Sequence, residues 1–417
     1  MSPSSDVVVV GAGLCAAFAA QTLREEGFAG SVVLLGAEPH RPYERPPLSK
    51  GYLQGSTERE KVFVHPEGWY REHDVELRTA VEVTAVDRQA GEVVLADGER
   101  RGYEQLLLAT GAEPRRLEVD GADLHGVHLL RRLEDSDAIR EAFAEVAAAG
   151  QGRVVIVGGG WIGLETAAAA RAAGLDVTVL EQDRLPLLRV LGPEMAQMFA
   201  DLHRQHAVDL RCGVAVAALT GTHGRVSGVR LRDGRLLPAN LVLVGVGVVP
   251  RTALAEAAGL EVSGGVVVDA HLRTTDPRIL AAGDVANAYS TVLGRHVRVE
   301  HWANARRQGA VAARSILGQD AVDVRPPYFF TDQYDLGMEY TGYVGTEGYE
   351  RVVVRGRLAS REFVAFWLAG GRVIAGMNVN IWDVADQVER LVLSRAAVDP
   401  ERLADPAVPL QELAGTP

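Results

Sequence analysis

Two stretches of this chain each run from a short β-branched strand, through a glycine-rich turn, into an alanine-rich helix and a second strand, and this repetition limits the fold more than any other feature. The first passes from Asp6-Val-Val-Val-Val10 through Gly11-Ala-Gly13-Leu-Cys-Ala16 into a helix reaching about Glu26, then an apolar strand at residues 31–35. The second passes from residues 153–157 through Gly158-Gly-Gly160-Trp-Ile-Gly163 into a helix reaching about Ala173, then a strand at residues 176–180. Each is a βαβ unit, so the chain is α/β with parallel sheets, and two such units imply two nucleotide sites.

The glycines have separate duties. Gly11 and Gly158 make the tight turn out of the strand, and Gly13 and Gly160 let the backbone approach a pyrophosphate. Ala16 and Gly163 allow close packing of the helix. The helix N-terminus then presents free N–H groups and a partial positive charge to the phosphates. After the first turn, Glu38 follows about 20 residues on, where a carboxylate grips a ribose hydroxyl. Glu181 ends the strand after the second turn. A carboxylate there accepts from both adenosine ribose hydroxyls and repels a 2′-phosphate, so NADH is favoured over NADPH. Arg184, three residues further, could soften that choice.

Length and charge narrow the remaining classes. A chain of 417 residues is long enough for two to four domains at about 150 residues each. Its formal charge of −12 opposes nucleic acid and anionic membranes. No run of about 18 apolar residues suggests a membrane span, and the start has no basic segment leading into an apolar one, so a cytoplasmic protein is expected. The two cysteines, Cys15 and Cys212, form no Cys-x-x-Cys or Cys-x4-Cys pair, which removes the usual redox dithiol and any cysteine-rich metal site. The histidines, including His301, lack ligand spacing, and no metal is expected.

Between the two units, residues 75–95 read as short alternating strands and residues 103–108 as a buried strand leading to Ala109-Thr110-Gly111. Residues 241–246 form another buried strand, and residues 276–284 deliver Asp284 to a helix start. From about Pro326 the texture becomes aromatic and alternating, predicting a separate α+β module with a helix at residues 382–394. The tail after about Asp399 is rich in Pro, Ala and acidic residues and is expected to be loosely ordered.

The order of these motifs resembles the FAD-dependent NADH:ferredoxin reductases, two-dinucleotide flavoproteins with a glutathione-reductase-like fold that serve oxygenases and cytochromes P450. The resemblance spans Gly11 to about Trp382 and is carried by Pro46-Pro-Leu-Ser-Lys50, Ala109-Thr-Gly111, residues 158–165, Gly247-Val-Val-Pro250, Ala282-Gly-Asp284, Trp302-Ala-Asn-Ala305 and Phe329-Phe-Thr-Asp-Gln333. It implies two Rossmann-like domains plus a C-terminal α+β domain: an FAD-binding domain at residues 1–112 and 245–323, an NADH-binding domain at 113–244, and an interface domain at 324–417.

The resemblance also implies roles. Lys50 lies beside the flavin ring, where its charge favours the reduced form; Glu165, expected in the first turn of its helix, pairs with that lysine. Asp284 accepts from the ribityl chain, Arg131 helps to bind FAD, Val83 and Trp302 touch it through backbone atoms, and Cys15 fills space near the pyrophosphate. Phe329 and Phe330 stand where the family usually has tryptophans against the flavin. Each has a plainer reading: a solvent lysine, a carboxylate serving the helix dipole, an N-cap aspartate, a surface arginine, ordinary aromatic core.

The implied reaction carries hydride from NADH to FAD and single electrons to a [2Fe-2S] ferredoxin feeding a P450 or a Rieske dioxygenase. Arg295, His296, Arg298, Arg306 and Arg307 form the densest basic cluster for docking an acidic ferredoxin. A rubredoxin could replace the ferredoxin. A disulfide reductase on the same scaffold would need a reactive cysteine that Cys15 does not provide, and an NADH sensor resembling apoptosis-inducing factor sits poorly with the acidic charge.

Overall fold

The computed structural model describes residues 4–150, 152–345 and 348–413. They fall into two compact units: residues 4–44, 59–113 and 249–329 in the first, and residues 45–58, 114–248 and 330–413 in the second, each within its described span.

The first unit is built on a sheet whose centre is parallel. Strand Ser4–Val10 pairs with Val32–Leu35 on one side and Arg100–Leu108 on the other, and Ile279–Ala281 adds to the far edge of Arg100–Leu108. Val7 to Val10 and Val32 to Leu35 are all buried, because a sheet covered on both faces needs continuous apolar strands rather than alternating ones. Strands Val83–Asp87 and Glu92–Leu95 extend the sheet in antiparallel fashion. Helix Leu14–Glu25 packs against helix Trp302–Ile316. Their approach is set by Gly309, where a Cβ would lie 2.4 Å from the Cys15 carbonyl oxygen.

The second unit holds a five-stranded parallel sheet in which Arg153–Val157 lies between Asp176–Glu181 and Leu241–Val244. A three-stranded antiparallel sheet packs with it through Leu219, Val226, Val229 and Leu231. Beyond residue 329 the chain forms a five-stranded antiparallel sheet containing Glu362–Ala369 and Arg372–Val379, with Phe363, Phe366 and Trp367 fully buried.

The structure corrects some local expectations. The late helix spans Ala385–Ser394, starting after Trp382, whose ring stays more than half exposed. The described part of the tail, residues 399–413, is ordered: Asp399 caps a short helix at Pro400–Ala404, and Leu403, Leu410 and Leu413 are buried in the C-terminal core, while residues 414–417 lie outside the described residues. Three leucines spaced through the acidic, proline-rich stretch supply the burial that overrides its composition. Among the described residues, no helix is long and apolar enough to cross a membrane.

Candidate active site

In the first unit, the turn after strand Ser4–Val10 is shaped by Gly11, whose φ is +109° and whose Cβ, if present, would lie 2.2 Å from the Ala109 carbonyl oxygen. Only glycine fits there. Gly13 caps helix Leu14–Glu25 without a side-chain hydrogen bond, and a Cβ on it would enter open space. The start of the helix therefore has no side-chain cap, and the space beside Gly13 is open to at least 4 Å, as close backbone approach of a phosphate requires.

Ala109 to Gly111 and Asp284 follow strands Arg100–Leu108 and Ile279–Ala281, which run parallel in the same sheet as the strand before Gly11. Ala109 donates its N–H to the Val10 carbonyl, the Thr110 hydroxyl donates to Arg251 O at 2.8 Å, and Gly111 O accepts from Arg251 N at 2.9 Å. Gly283 has φ +79° and donates its N–H to the buried Gln308 side chain at 2.8 Å, placing Asp284, half-buried, in the short turn Gly283–Val285. Cys15 and Ala16 are buried in the helix, and burial pushes the Cys15 thiol well above the ordinary range. Val83 is buried at the head of its strand. Glu38 accepts the Tyr43 hydroxyl. Trp302 opens its helix, where the Arg306 guanidinium lies 4.4 Å from its ring and 4.5 Å from that of Phe18. Burial pulls His301, the preceding residue, down to about 4.

The second unit repeats the cradle. Gly158 has φ +107°, and a Cβ on it would lie 2.3 Å from Gly245 O; one on Gly163 would lie 2.0 Å from Gly158 O. Gly160 caps helix Trp161–Ala172 with no side-chain bond, and its Cβ direction is open. The three glycines thus make the turn, the approach and the helix packing that a dinucleotide requires. Glu181 clamps the turn: its Oε2 accepts from Gly159 N at 2.7 Å and its Oε1 from Asp183 N at 2.8 Å. Arg184 is exposed.

The strongest polar constellation is also here. Pro46–Ser49 forms a 3-10 turn whose proline ring torsions hold the chain, and Lys50 closes it by donating its N–H to Pro47 O at 3.0 Å. Lys50 Nζ then reaches Glu165 Oε1 at 2.8 Å, with the side chains 15% and 4% exposed. Glu165 is the fifth residue of its helix, past the first turn, so a helix-dipole role does not account for it. Its carboxylate also accepts the Ser49 hydroxyl and, at 2.6 Å, the Thr331 hydroxyl. Phe330 packs with its ring 5.5 Å from Lys50 Nζ.

Ser49 and Thr331, which join this constellation, were not singled out from the sequence, although they lie within Pro46-Pro-Leu-Ser-Lys50 and Phe329-Phe-Thr-Asp-Gln333; the available signal was a hydroxyl beside a charged residue. Arg131 also belongs to the second unit; its N–H donates to Asp135 at 2.9 Å and its carbonyl accepts from Arg45. Of the basic cluster, Arg307 pairs with Asp323 at 3.2 Å and Arg298 with Glu300, which spends part of its positive charge internally.

A dinucleotide-type turn in each unit, with an uncapped helix behind it, defines a scaffold for two nucleotides. Residues 5–309 match the family model described as pyridine nucleotide-disulphide oxidoreductase, and residues 328–414 match that of the reductase C-terminal domain. The chain is 37% identical to putidaredoxin reductase CamA of Pseudomonas putida, covering 99% of this chain and 97% of that one. It is 39% identical to a ferredoxin--NAD(P)(+) reductase of a Sphingomonas species, covering 97% of each. The crystal structure of a covalent putidaredoxin reductase-putidaredoxin complex matches with TM-score 0.93 at 37% identity over 98% of each chain.

The chain belongs to the pyridine nucleotide-disulphide oxidoreductase family. It is an oxidoreductase that uses FAD and a nicotinamide dinucleotide. Both cysteines are free, with Cys15 buried and Cys212 partly buried.

Proposed function

We propose that this chain is an NADH-dependent ferredoxin reductase that passes electrons from NADH to a [2Fe-2S] ferredoxin, which in turn feeds a cytochrome P450 or a dioxygenase. The observation that carries the reading is the presence of one uncapped glycine-turn helix in each unit together with the buried Lys50–Glu165 pair. The full-length likeness to ferredoxin and putidaredoxin reductases supports it. FAD, when bound, supplies the conversion of a two-electron hydride into single electrons, chemistry that no side chain provides.

The side chains position and tune. Gly11, Gly13 and the helix behind them hold the FAD pyrophosphate, with Cys15 and Ala16 packed beneath it. Glu38 takes the adenosine ribose, Asp284 the ribityl hydroxyls, and Val83, Ala109, Thr110, Gly111, Arg131 and Trp302 complete the cradle. Gly158, Gly160 and Gly163 hold the NADH pyrophosphate, and Glu181 selects the unphosphorylated ribose. Lys50 places a positive charge at the flavin, and Glu165 fixes where that charge stands.

On this reading the chain comprises an FAD-binding domain at residues 1–112 and 245–323, an NADH-binding domain at 113–244 and an interface domain at 324–417. Work in a reducing cytoplasm fits two unpaired cysteines.

The test is NADH-driven cytochrome c reduction with and without a candidate [2Fe-2S] ferredoxin, repeated with a rubredoxin and with NADPH. A large ferredoxin-dependent rate with NADH supports the reading. A rate independent of either carrier contradicts it.

A further inference from the structure

We propose that Thr331, Gln333 and His203, ending at Tyr334, form a one-directional hydrogen-bonded chain that sets Glu165 against Lys50, which makes them positioning residues for the reaction. This rests on the proposed roles of Lys50 and Glu165.

The direction follows from the carboxylate. Glu165, paired with Lys50, can only accept, so the Thr331 hydroxyl 2.6 Å away must donate to it. The Thr331 oxygen is then left as an acceptor and takes the Gln333 amide N–H at 3.1 Å. That turns Gln333 Oε1 towards His203 Nε2 at 2.8 Å, so the ring carries its proton on Nε2. His203 Nδ1 is the acceptor, and the Tyr334 hydroxyl faces it at 3.3 Å. Every donor from Tyr334 onwards points towards Glu165.

The setting favours order over motion. Thr331 and Gln333 are 1% exposed and His203 is fully buried. Burial also holds His203 down to about 4, which keeps the ring neutral, and the acceptor Gln333 Oε1 at 2.8 Å selects the form protonated on Nε2. Tyr334 sits in the hairpin turn at φ +57°, a conformation unfavourable for its side chain, and its ring stacks on His206 at 3.7 Å. Three buried polar residues give a core no more stability than well-packed apolar ones, so stability alone does not explain them. An amide in the path blocks proton relay, which leaves orientation of Glu165 as the function.

The experiment places Gln333→Leu in the wild type and in Thr331→Val and Glu165→Gln backgrounds. It reads the rate of flavin reduction by NADH, the KM for NADH and the flavin midpoint potential. In the wild type Q333L lowers the rate about three- to tenfold with little change in KM and moves the potential. Within T331V it has no further effect, and Thr331→Ser keeps the wild-type values. Equal losses in every background, or T331S as impaired as T331V, would reduce the chain to packing and overturn the inference. E165Q without effect on rate or potential would overturn the reading beneath it instead. Nitrogen NMR of the unmutated protein adds a check: His203 protonated on Nε2 supports the chain, and protonation on Nδ1 rejects it.

Discussion

Lys50 Nζ and Glu165 Oε1 stand 2.8 Å apart, and the glutamate is the more deeply buried of the two, 4% exposed against 15%. The burial asymmetry predicts an asymmetry in mutation. Lys50→Met strands a carboxylate away from water and should cost about 3 kcal/mol, whereas Glu165→Gln leaves a cation that can still reach solvent and should cost about 1 kcal/mol. Urea denaturation of the two variants measures the difference, and equal losses would contradict it.

The glycines of the second turn separate folding from binding. Gly163→Ala drives a methyl to 2.0 Å from Gly158 O, so the helix must shift and stability should fall by about 3 kcal/mol. Gly160→Ala meets nothing within 4 Å and sits at φ −79°, so it should fold normally and instead weaken NADH binding about tenfold. Thermal melts beside NADH titrations read both quantities.

Glu181 should govern the choice of donor. Replacing it by alanine removes both the ribose acceptor and the clamp on Gly159 and Asp183, raising the KM for NADH about tenfold and narrowing the preference over NADPH. Steady-state kinetics with the two nucleotides decides it, and an unchanged ratio would remove Glu181 from specificity.

Much of this was legible in the sequence because turn chemistry is local. Gly11, Gly158 and Gly163 announce themselves by spacing, and the structure gives each a contact that only glycine tolerates. The Lys50–Glu165 contact was legible only by resemblance, since no local pattern brings positions so far apart in the chain together. The Thr331 to His203 chain was not legible at all: its links join a strand edge to a distant helix, and polar pairing across tertiary contacts leaves no periodicity. Composition misled at the tail, where isolated leucines outweighed many prolines and acids.

Acid should destabilise the protein through its buried histidines. Burial holds His203 and His301 down to about 4 from an ordinary 6.5, so between those values the unfolded chain binds protons that the folded chain refuses. The stability they confer is complete above about pH 6.5 and is lost as pH falls towards 4, by about 3 kcal/mol for each. Denaturation measured from pH 7.5 to 4.5 should show the loss, and His203→Gln should flatten part of the slope. A flat wild-type profile would contradict it.

The most direct test of the whole account is anaerobic addition of NADH to the FAD-loaded protein, followed by oxidised [2Fe-2S] ferredoxin. The account predicts that one NADH bleaches the flavin absorbance and that two ferredoxins restore it. Protein that binds no FAD, or whose flavin stays oxidised under NADH, would contradict the account.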